Sequence, residues 1–317
     1  MQRRDFIKKT TSAIALAATT GGVGWVFHNR EPAAYETPLA ASLSFGVADD
    51  PRLPRLTLAH NENPASALNA ALDAIGGIRR FVRPGERVVI KPNVGWDRTA
   101  AQAANTNPDL VGQVVRLCLD AGAREVVVTD VTCNDPRRCF LRSGISEAAE
   151  AAGGLVRLPT DEDYETVDLG GELLTGWPVL KHFLHADRMI NMPVVKHHSL
   201  TGGTIGLKNL YGIIGGHRNQ LHQQIDQSIV DLANFCRPTL TIVDATRVLL
   251  RGGPQGGSLD DVEIKNTVMC ATDPVAADSR AAEFLGRQGD TIGHVVLAQR
   301  AGLGNLDYRQ AGYQEVG

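Results

Sequence analysis

The fold class is decided by the stretch MINMPVVKHH, residues Met189 to His198. It is a short run of apolar and β-branched residues, the composition of a buried strand, and it ends in a lysine and two histidines. Four similar runs, each followed by a charged side chain, are Arg87–Ile90 before Lys91, Glu125–Thr129 before Asp130, Thr239–Val243 before Asp244, and Asn266–Ala271 before Asp273. The sequence therefore predicts buried strands with polar residues at their carboxyl ends.

Helical patterns alternate with these strands and with an earlier strand at Leu56–Ala59. The predicted helices are Ala65–Phe81, Pro108–Ala121, Ser146–Ala152, Gln224–Phe235, Pro274–Leu285 and Ile292–Ala301. Short strands around Gly170 and Gly171, within residues 155–180, predict a hairpin. Because strands that alternate with helices form βαβ units, we expect an α/β fold. It would have a mostly parallel sheet, helices on both faces and a small β-hairpin excursion.

The ends of parallel strands meet at one edge of a sheet, where ligands of α/β proteins bind. We assign Lys91, Lys196, His197 and Asp244 as catalytic candidates, and Asp130, His197 and Asp273 as metal ligands. His197 and His198 are adjacent, so in a strand only one of them faces the site, and we favour His197. His217 and His222 are weaker candidates. The alternative is that Asp273 caps a helix before Pro274 and that Asp130 and Asp244 cap turns.

A glycine-rich segment, SLTGGTIGLKN at residues 199–209, follows the histidines. Its backbone N–H groups could converge on an anion at a helix start, and we assign Asn93, Gly202, Gly203, Lys208 and Asn209 to cofactor binding. The alternative is a tight loop with close helix packing. Neither the spacing of a P-loop nor GxGxxG after a strand is present.

Five cysteines occur, and two of them, Cys133 and Cys139, bracket a polar loop directly after Asp130. In an oxidising compartment a structural disulfide would close this loop. The alternative is a redox or metal role beside Asp130.

The first thirty residues differ from the rest. Arg3-Arg4-Asp5-Phe6-Ile7-Lys8 precedes a weakly apolar stretch at residues 13–27, which resembles a twin-arginine export signal. We therefore expect a signal segment at 1–30, a linker at 31–55 and a single α/β domain at 56–317. The export machinery would be a partner and the location periplasmic or extracytoplasmic. No run spans a membrane stably, beyond an anchor that an uncleaved signal would form.

The charge balance points to a small ligand. The chain has 32 Lys and Arg against 35 Asp and Glu, and without residues 1–30 the net charge changes from −3 to −7. Nucleic-acid binders normally carry a basic excess, so this class is disfavoured. Within an acidic body, Lys91, Lys196 and Lys208 form a basic focus that favours an anionic ligand.

An ordered series of motifs resembles the family called domain of unknown function 362 (DUF362). The motifs are VVIKPN at 88–93, DAGA at 120–123, NMPVVKH at 191–197, GLKNLYG at 206–212, RPTLTIVDA at 237–245, GPQG at 253–256 and DPVAAD at 273–278. The resemblance implies an α/β core and, in some members, a fused iron–sulfur ferredoxin module, whose cysteine run is missing here. Matching positions are Lys91, Asn93, Lys196, His197, Lys208, Asn209, Asp244, Asp273 and Asp278.

Three interpretations remain open for the function. The first is an exported enzyme that depends on a metal ion or redox cofactor and acts on an anionic ligand. The second is a non-catalytic protein that binds or delivers such a metal or cofactor. The third is a hydrolase in which Ser199 is the nucleophile.

Overall fold

The computed structural model describes residues 42–317, which belong to one compact unit. The strands are β1 Leu43–Ser44, β2 Leu56–His60, β3 Arg87–Pro92, β4 Glu125–Val128, β5 Leu155–Val156, β6 Tyr164–Asp168, β7 Gly176–Leu180, β8 Arg188–Met192, β9 Val194–Lys196, β10 Cys236–Arg237, β11 Leu240–Leu249, β12 Val262–Ala271 and β13 Tyr313–Val316. The helices are α1 Pro64–Ala74, α2 Ile78–Phe81, α3 Pro108–Asp120, α4 Pro136–Ser143, α5 Ile145–Ala151, α6 Lys181–Leu184, α7 Gly206–Asn209, α8 Ile225–Phe235, α9 Pro274–Ala282 and α10 Gly293–Arg300.

The central sheet has the strand order β13-β2-β12-β11-β8-β3-β4-β5, with β9 paired to β11. Neighbours are parallel except at β12, which runs antiparallel to both β11 and β2. A separate two-stranded antiparallel sheet, β6-β7, forms the small hairpin. The predicted α/β class, with its mostly parallel sheet and hairpin excursion, is confirmed.

Both faces of the sheet are covered, as the near-continuous apolar strands require. Along β3, Val88 and Ile90 join one buried cluster with residues of α1, α3 and α5, whereas Val89 joins a second cluster with residues of α8, α9 and α10. β4 divides in the same way, with Val126 and Val128 on one face and Val127 on the other. Successive side chains of a strand point to opposite faces, so each strand contributes to two cores.

Four helices begin at the same kind of dipeptide, an Asn or Asp followed by proline. The cap side chain accepts a backbone N–H of the first turn, and proline occupies a position that needs no hydrogen-bond donor. The caps are Asn63, Asn107, Asp135 and Asp273. The cap at Asp135 starts α4, a helix within the segment that the sequence analysis treats as a polar loop.

A predicted helix and a predicted strand are each divided in the structure, at residues that do not continue the regular backbone. The predicted helix 65–81 divides at Gly76 and Gly77, which both have a positive φ. The predicted strand 189–195 divides at Pro193, which has no N–H for the ladder. β9 therefore follows β8 as a separate strand, and Lys196 closes it.

The start of the domain lies inside the predicted linker. β1 pairs in parallel with β10, and Phe45 is buried in the core. Residues 1–41, which contain the predicted signal segment, lie outside the described residues. Among the helices of residues 42–317, none combines the length and apolar character needed to cross a membrane.

Candidate functional site

The carboxyl ends of the parallel strands border a cavity of about 450 Å³. Lys91 ends β3, Asp130 follows β4 and Lys196 ends β9, while Lys208 and Asn209 come from α7. The structure thus brings together strand-end residues that are far apart in sequence. The other functional side chains that line the cavity are Asn93, Trp96, Cys133, His198, Tyr211, His217, Arg218 and His222.

A buried ion pair closes the floor of this cavity. Lys91 Nζ lies 2.7 Å from Asp130 Oδ1, and both side chains are almost fully buried. The second oxygen of Asp130 accepts the backbone N–H of Val94 at 2.8 Å. Gly212 lies directly against the pair, and any side chain there would overlap Asp130. A glycine at this position therefore allows the chain to pass over the ion pair.

Two asparagines connect the ion pair to the second lysine. Asn209 Oδ1 accepts from Lys91 Nζ at 3.1 Å and from Asn93 Nδ2 at 2.9 Å. Asn93 Oδ1 in turn accepts from Lys196 Nζ at 2.9 Å, and Lys196 also donates to the carbonyl of Ala104 at 2.5 Å. Lys196 is thereby held by two neutral oxygens, and no carboxylate of residues 42–317 lies within ion-pair distance of its amine.

Lys208 has a different environment from the other two lysines. Its Nζ lies 3.4 Å from the centroid of the Tyr211 ring, and only 8% of the residue is exposed. Within residues 42–317, this amine donates no hydrogen bond and forms no ion pair. A cation over an aromatic ring gains about 0.5–2 kcal/mol, less than the cost of burying an uncompensated charge. An anion in the cavity would supply the missing partner.

Burial depresses the basicity of these amines. It lowers the pKa of Lys196 to about 7, and the charge of Lys91 adds to the effect. Burial likewise lowers the pKa of Lys208 to about 7, assisted by the charges of Arg218, Lys196 and Lys91. Burial also lowers the pKa of Lys91, although the carboxylate of Asp130 offsets part of this change. Removing a cation from water disfavours its charged form, which explains the common direction.

His198, and not His197, faces the cavity. Residues two apart in an extended chain point to the same side, so His198 follows Lys196 into the cavity while His197 points away. His197 Nδ1 instead lies 3.3 Å from the carbonyl of Gly253. His198 Nδ1 accepts the N–H of Leu200, and burial lowers the pKa of His198 to about 3, so this imidazole is neutral. The alternation of side chains along a strand, counted from Lys196, is the sequence signal that favours His198 over His197.

The backbone N–H groups of the glycine-rich segment bind a carboxyl group, but it is that of the protein's own Asp278, whose pKa burial raises to about 7. The N–H groups of Gly206 and Leu207 donate to its two oxygens at 2.8 and 3.0 Å. Gly202 and Gly203 do not line the cavity, because they pack toward Arg287 and Leu285. α7 therefore presents Lys208 and Asn209 to the cavity through their side chains, while its amino end is already occupied.

Asp273 lies at the opposite edge of the sheet. β12 is antiparallel to its neighbours, so its carboxyl end points away from the cavity. Asp273 accepts the N–H groups of Val275, Ala276 and Asn305, which makes it a helix cap. Within residues 42–317, no group of three or more His, Cys, Asp or Glu side chains is placed to hold a metal ion. The structure therefore does not bring Asp130, His197 and Asp273 together.

Comparison with known proteins places the chain in a family. The model of the domain of unknown function DUF362 matches residues 88–283. The chain belongs to the DUF362 family. It is also 25% identical over 253 residues to a thylakoid-associated protein of Synechocystis, and this alignment covers 75% of each chain.

Two solved structures share part of the arrangement of this DUF362 protein. One is the lactate racemase apoprotein of Thermoanaerobacterium thermosaccharolyticum, at 11% identity and a TM-score of 0.42, covering 77% of this chain and 61% of that one. The other is a structural-genomics protein of Thermotoga maritima, at 14% identity and a TM-score of 0.37, covering 65% of this chain and 55% of that one. The chain thus spans less than two thirds of either solved chain.

The cysteines of this DUF362 protein are all free. Cys139 is buried on α4, whereas Cys133 is exposed and lines the cavity. The predicted disulfide between them is not formed, because residues 136–143 coil into a helix that turns Cys139 into the core. Cys133 and Asp130 both line the cavity, and a redox or metal role for Cys133 stays a prediction. Ser199 is exposed and does not line the cavity.

Asp244 lies within β11 and not at its end, since this strand continues to Leu249. Its oxygens accept the N–H of Asn107 at 2.7 Å and both the N–H and the hydroxyl of Thr246 at 2.9 and 2.6 Å. Asp244 thus joins the start of α3 to the sheet and does not line the cavity.

We expect Asp244→Ala to lower the free energy of unfolding by about 2 kcal/mol, because the buried N–H of Asn107 loses its acceptor. Urea denaturation followed by circular dichroism measures this loss. Asp260→Ala, which removes an exposed carboxylate, is the matched control and should change stability little. Unchanged stability together with lost ligand binding would instead give Asp244 the catalytic role that its sequence position predicts.

Proposed function

We propose that this DUF362 protein binds a small anionic ligand in the carboxyl-edge cavity and acts on it as an enzyme. The observation that carries the proposal is Lys208, a cavity-lining residue that is more than nine-tenths buried and whose amine contacts the Tyr211 ring but has no hydrogen-bond or ion-pair partner among the described residues. A buried polar group without a partner usually marks a function or an absent ligand.

The charges around the cavity support an anion in preference to a cation. The described lining contains three lysines and Arg218, but Asp130 is its only carboxylate and is already paired with Lys91. Arg218 donates only to neutral backbone oxygens, at 2.9 Å to Val131 and 2.6 Å to Thr132. The positive charges of Lys196, Lys208 and Arg218 are therefore available to carboxylate, phosphate or sulfate oxygens.

The side chains that line the cavity also determine which of the two expected groups, a metal ion or a redox cofactor, fits there. The amines and the guanidinium suit the anionic groups of an organic cofactor, and the imidazoles and the thiol of the lining form no group of three or more potential metal ligands among residues 42–317. A redox cofactor held in this way would supply electron transfer, which these side chains cannot provide. The side chains themselves neutralise the charge of the ligand, offer the rings of Tyr211 and Trp96 as apolar walls, and hold protons near neutral pH.

Catalysis is favoured over simple storage by the two lysines whose pKa lies near 7. Groups that titrate close to the working pH can both give and accept protons during a reaction. Lys196 and Lys208 occupy such a position in one cavity. The alternative of a non-catalytic binding or maturation protein predicts that the ligand is retained stoichiometrically and leaves unchanged.

Replacing Lys208 with methionine tests the anion site. With phosphate, sulfate, citrate and 2-oxoglutarate as probes, calorimetry should show binding to the wild-type protein. For Lys208→Met the affinity should be at least about tenfold weaker, because a charge-assisted contact is worth about 1.5–3 kcal/mol. Lys265→Met, which removes a lysine outside the cavity, should bind like the wild type. Equal affinity in Lys208→Met, or no binding of any probe by the wild type, would contradict the proposal.

We further propose that the protein reaches the periplasm or another extracytoplasmic space by the twin-arginine route, on the strength of the motif at residues 3–8. A double Arg3→Lys, Arg4→Lys variant should remain in the cytoplasm of a bacterial host that has this route, because the paired arginines are read by the export machinery. Immunoblots of cell fractions make the measurement, with Arg30→Lys as the control outside the motif. Export of the double variant at the wild-type level would overturn the assignment.

A further inference from the structure

Lysine is scarce in this chain and concentrated at one place. The sequence has seven lysines against 25 arginines, yet three of the seven line the cavity. Arginine binds anions at least as well as lysine, but it never loses its charge, whereas a buried lysine becomes a neutral amine. A cavity that only neutralised an anion would not require lysine. The choice of lysine therefore favours a role in which the neutral amine takes part.

The three amines are not equivalent in this respect. Lys91 is held by the carboxylate of Asp130, and Lys196 donates to Asn93 and Ala104. Both are constrained as hydrogen-bond donors. Lys208 alone among the three donates no hydrogen bond to a described residue; it lines the cavity and its amine contacts the Tyr211 ring. Its nitrogen is free to approach an electrophilic carbon.

We propose that Lys208 forms an imine with the carbonyl carbon of an anionic ligand, of the class of 2-oxo acids or anionic aldehydes. This inference rests on the proposed anion site, because the charge of the ligand has to be met by Lys196 and Arg218. Lysine amines are activated as nucleophiles by desolvation and by neighbouring cations, and Lys208 has both.

The bond changes require only the ligand and water. The neutral Nζ of Lys208 adds to the carbonyl carbon and gives a carbinolamine. The carbonyl oxygen then leaves as water, taking one proton from the amine and one from solvent at the open mouth of the cavity. The product is a protonated imine, whose positive charge stays next to the anionic group of the ligand. No oxidant, reductant or metal ion enters this balance.

The electrostatics of the cavity support this assignment. With a pKa of about 7, Lys208 is half neutral near physiological pH, while an ordinary lysine with a pKa of 10.5 is almost entirely protonated there. The Tyr211 ring lies against one side of the amine at 3.4 Å from Nζ to the centroid, which limits its approach to the remaining directions. Nucleophile and anion site are therefore adjacent.

Reductive trapping tests the imine in the wild-type protein. The protein is incubated with glyoxylate or 2-oxoglutarate and sodium cyanoborohydride at pH 7.5, and the modified lysines are located by peptide mass spectrometry. We expect the adduct at Lys208 to exceed that at Lys181 and Lys265 by at least about tenfold, because these two lie outside the cavity. Trapping should increase as the pH rises through about 7, as a neutral amine requires. In Lys208→Arg, the selective adduct should disappear.

A second variant and a second ligand distinguish a failure of the imine proposal from a failure of the proposed anion site. Lys196→Met removes a charge that lowers the pKa of Lys208, so the pH midpoint of trapping should move upward. Labelling spread evenly over the lysines, or no adduct with either probe, overturns the imine. Calorimetry with 2-hydroxyglutarate, which lacks the carbonyl, then decides the rest: binding that depends on Lys208 leaves the anion site standing, and its absence removes the proposed function as well.

Discussion

The ion pair between Lys91 and Asp130 is the constraint on which the site depends. Burying a charge costs several kcal/mol unless an opposite charge lies close by, and Asp130 is the only carboxylate in the described lining of the cavity. Burial lowers the pKa values of Lys196 and Lys208, and because Lys91 occupies the carboxylate, neither of the two has an ion-pair partner that would offset this effect.

The sheet determines which residues share this environment. Lys91, Asp130 and Lys196 meet because β3, β4 and β9 run in the same direction and end at one edge. Asn209 holds the group together from α7, since its side chain contacts both Lys91 and Asn93. The internal carboxylate of Asp278 in turn holds the first turn of α7 in place.

Much of this arrangement could be predicted from the sequence, because strand periodicity and strand ends are local signals. The α/β class and the convergence of Lys91, Asp130 and Lys196 follow from them, whereas Lys208 was assigned from the glycine-rich segment. The direction of β12 is not a local signal, so Asp273 appeared to share an edge that it does not reach. The same holds for the length of β11, which places Asp244 inside the strand.

Other features depended on tertiary contacts that periodicity does not report. The glycine-rich segment has the composition of an anion cradle, but only the fold shows that Asp278 fills it. His198 was within reach of sequence reasoning, since alternation from Lys196 points to it. Tyr211 and Arg218 gave no comparable signal, because they follow α7 in 3₁₀ turns that no apolar repeat marks.

The central claim is that two buried amines in this cavity lack a compensating carboxylate and titrate near neutrality. Carbon-detected NMR of the lysine ε positions, with Lys196→Met and Lys208→Met used for assignment, measures their pKa values directly in the folded protein. Our account predicts two lysines that titrate at about 7. Titration of both near 10.5, the ordinary value for lysine, would contradict it.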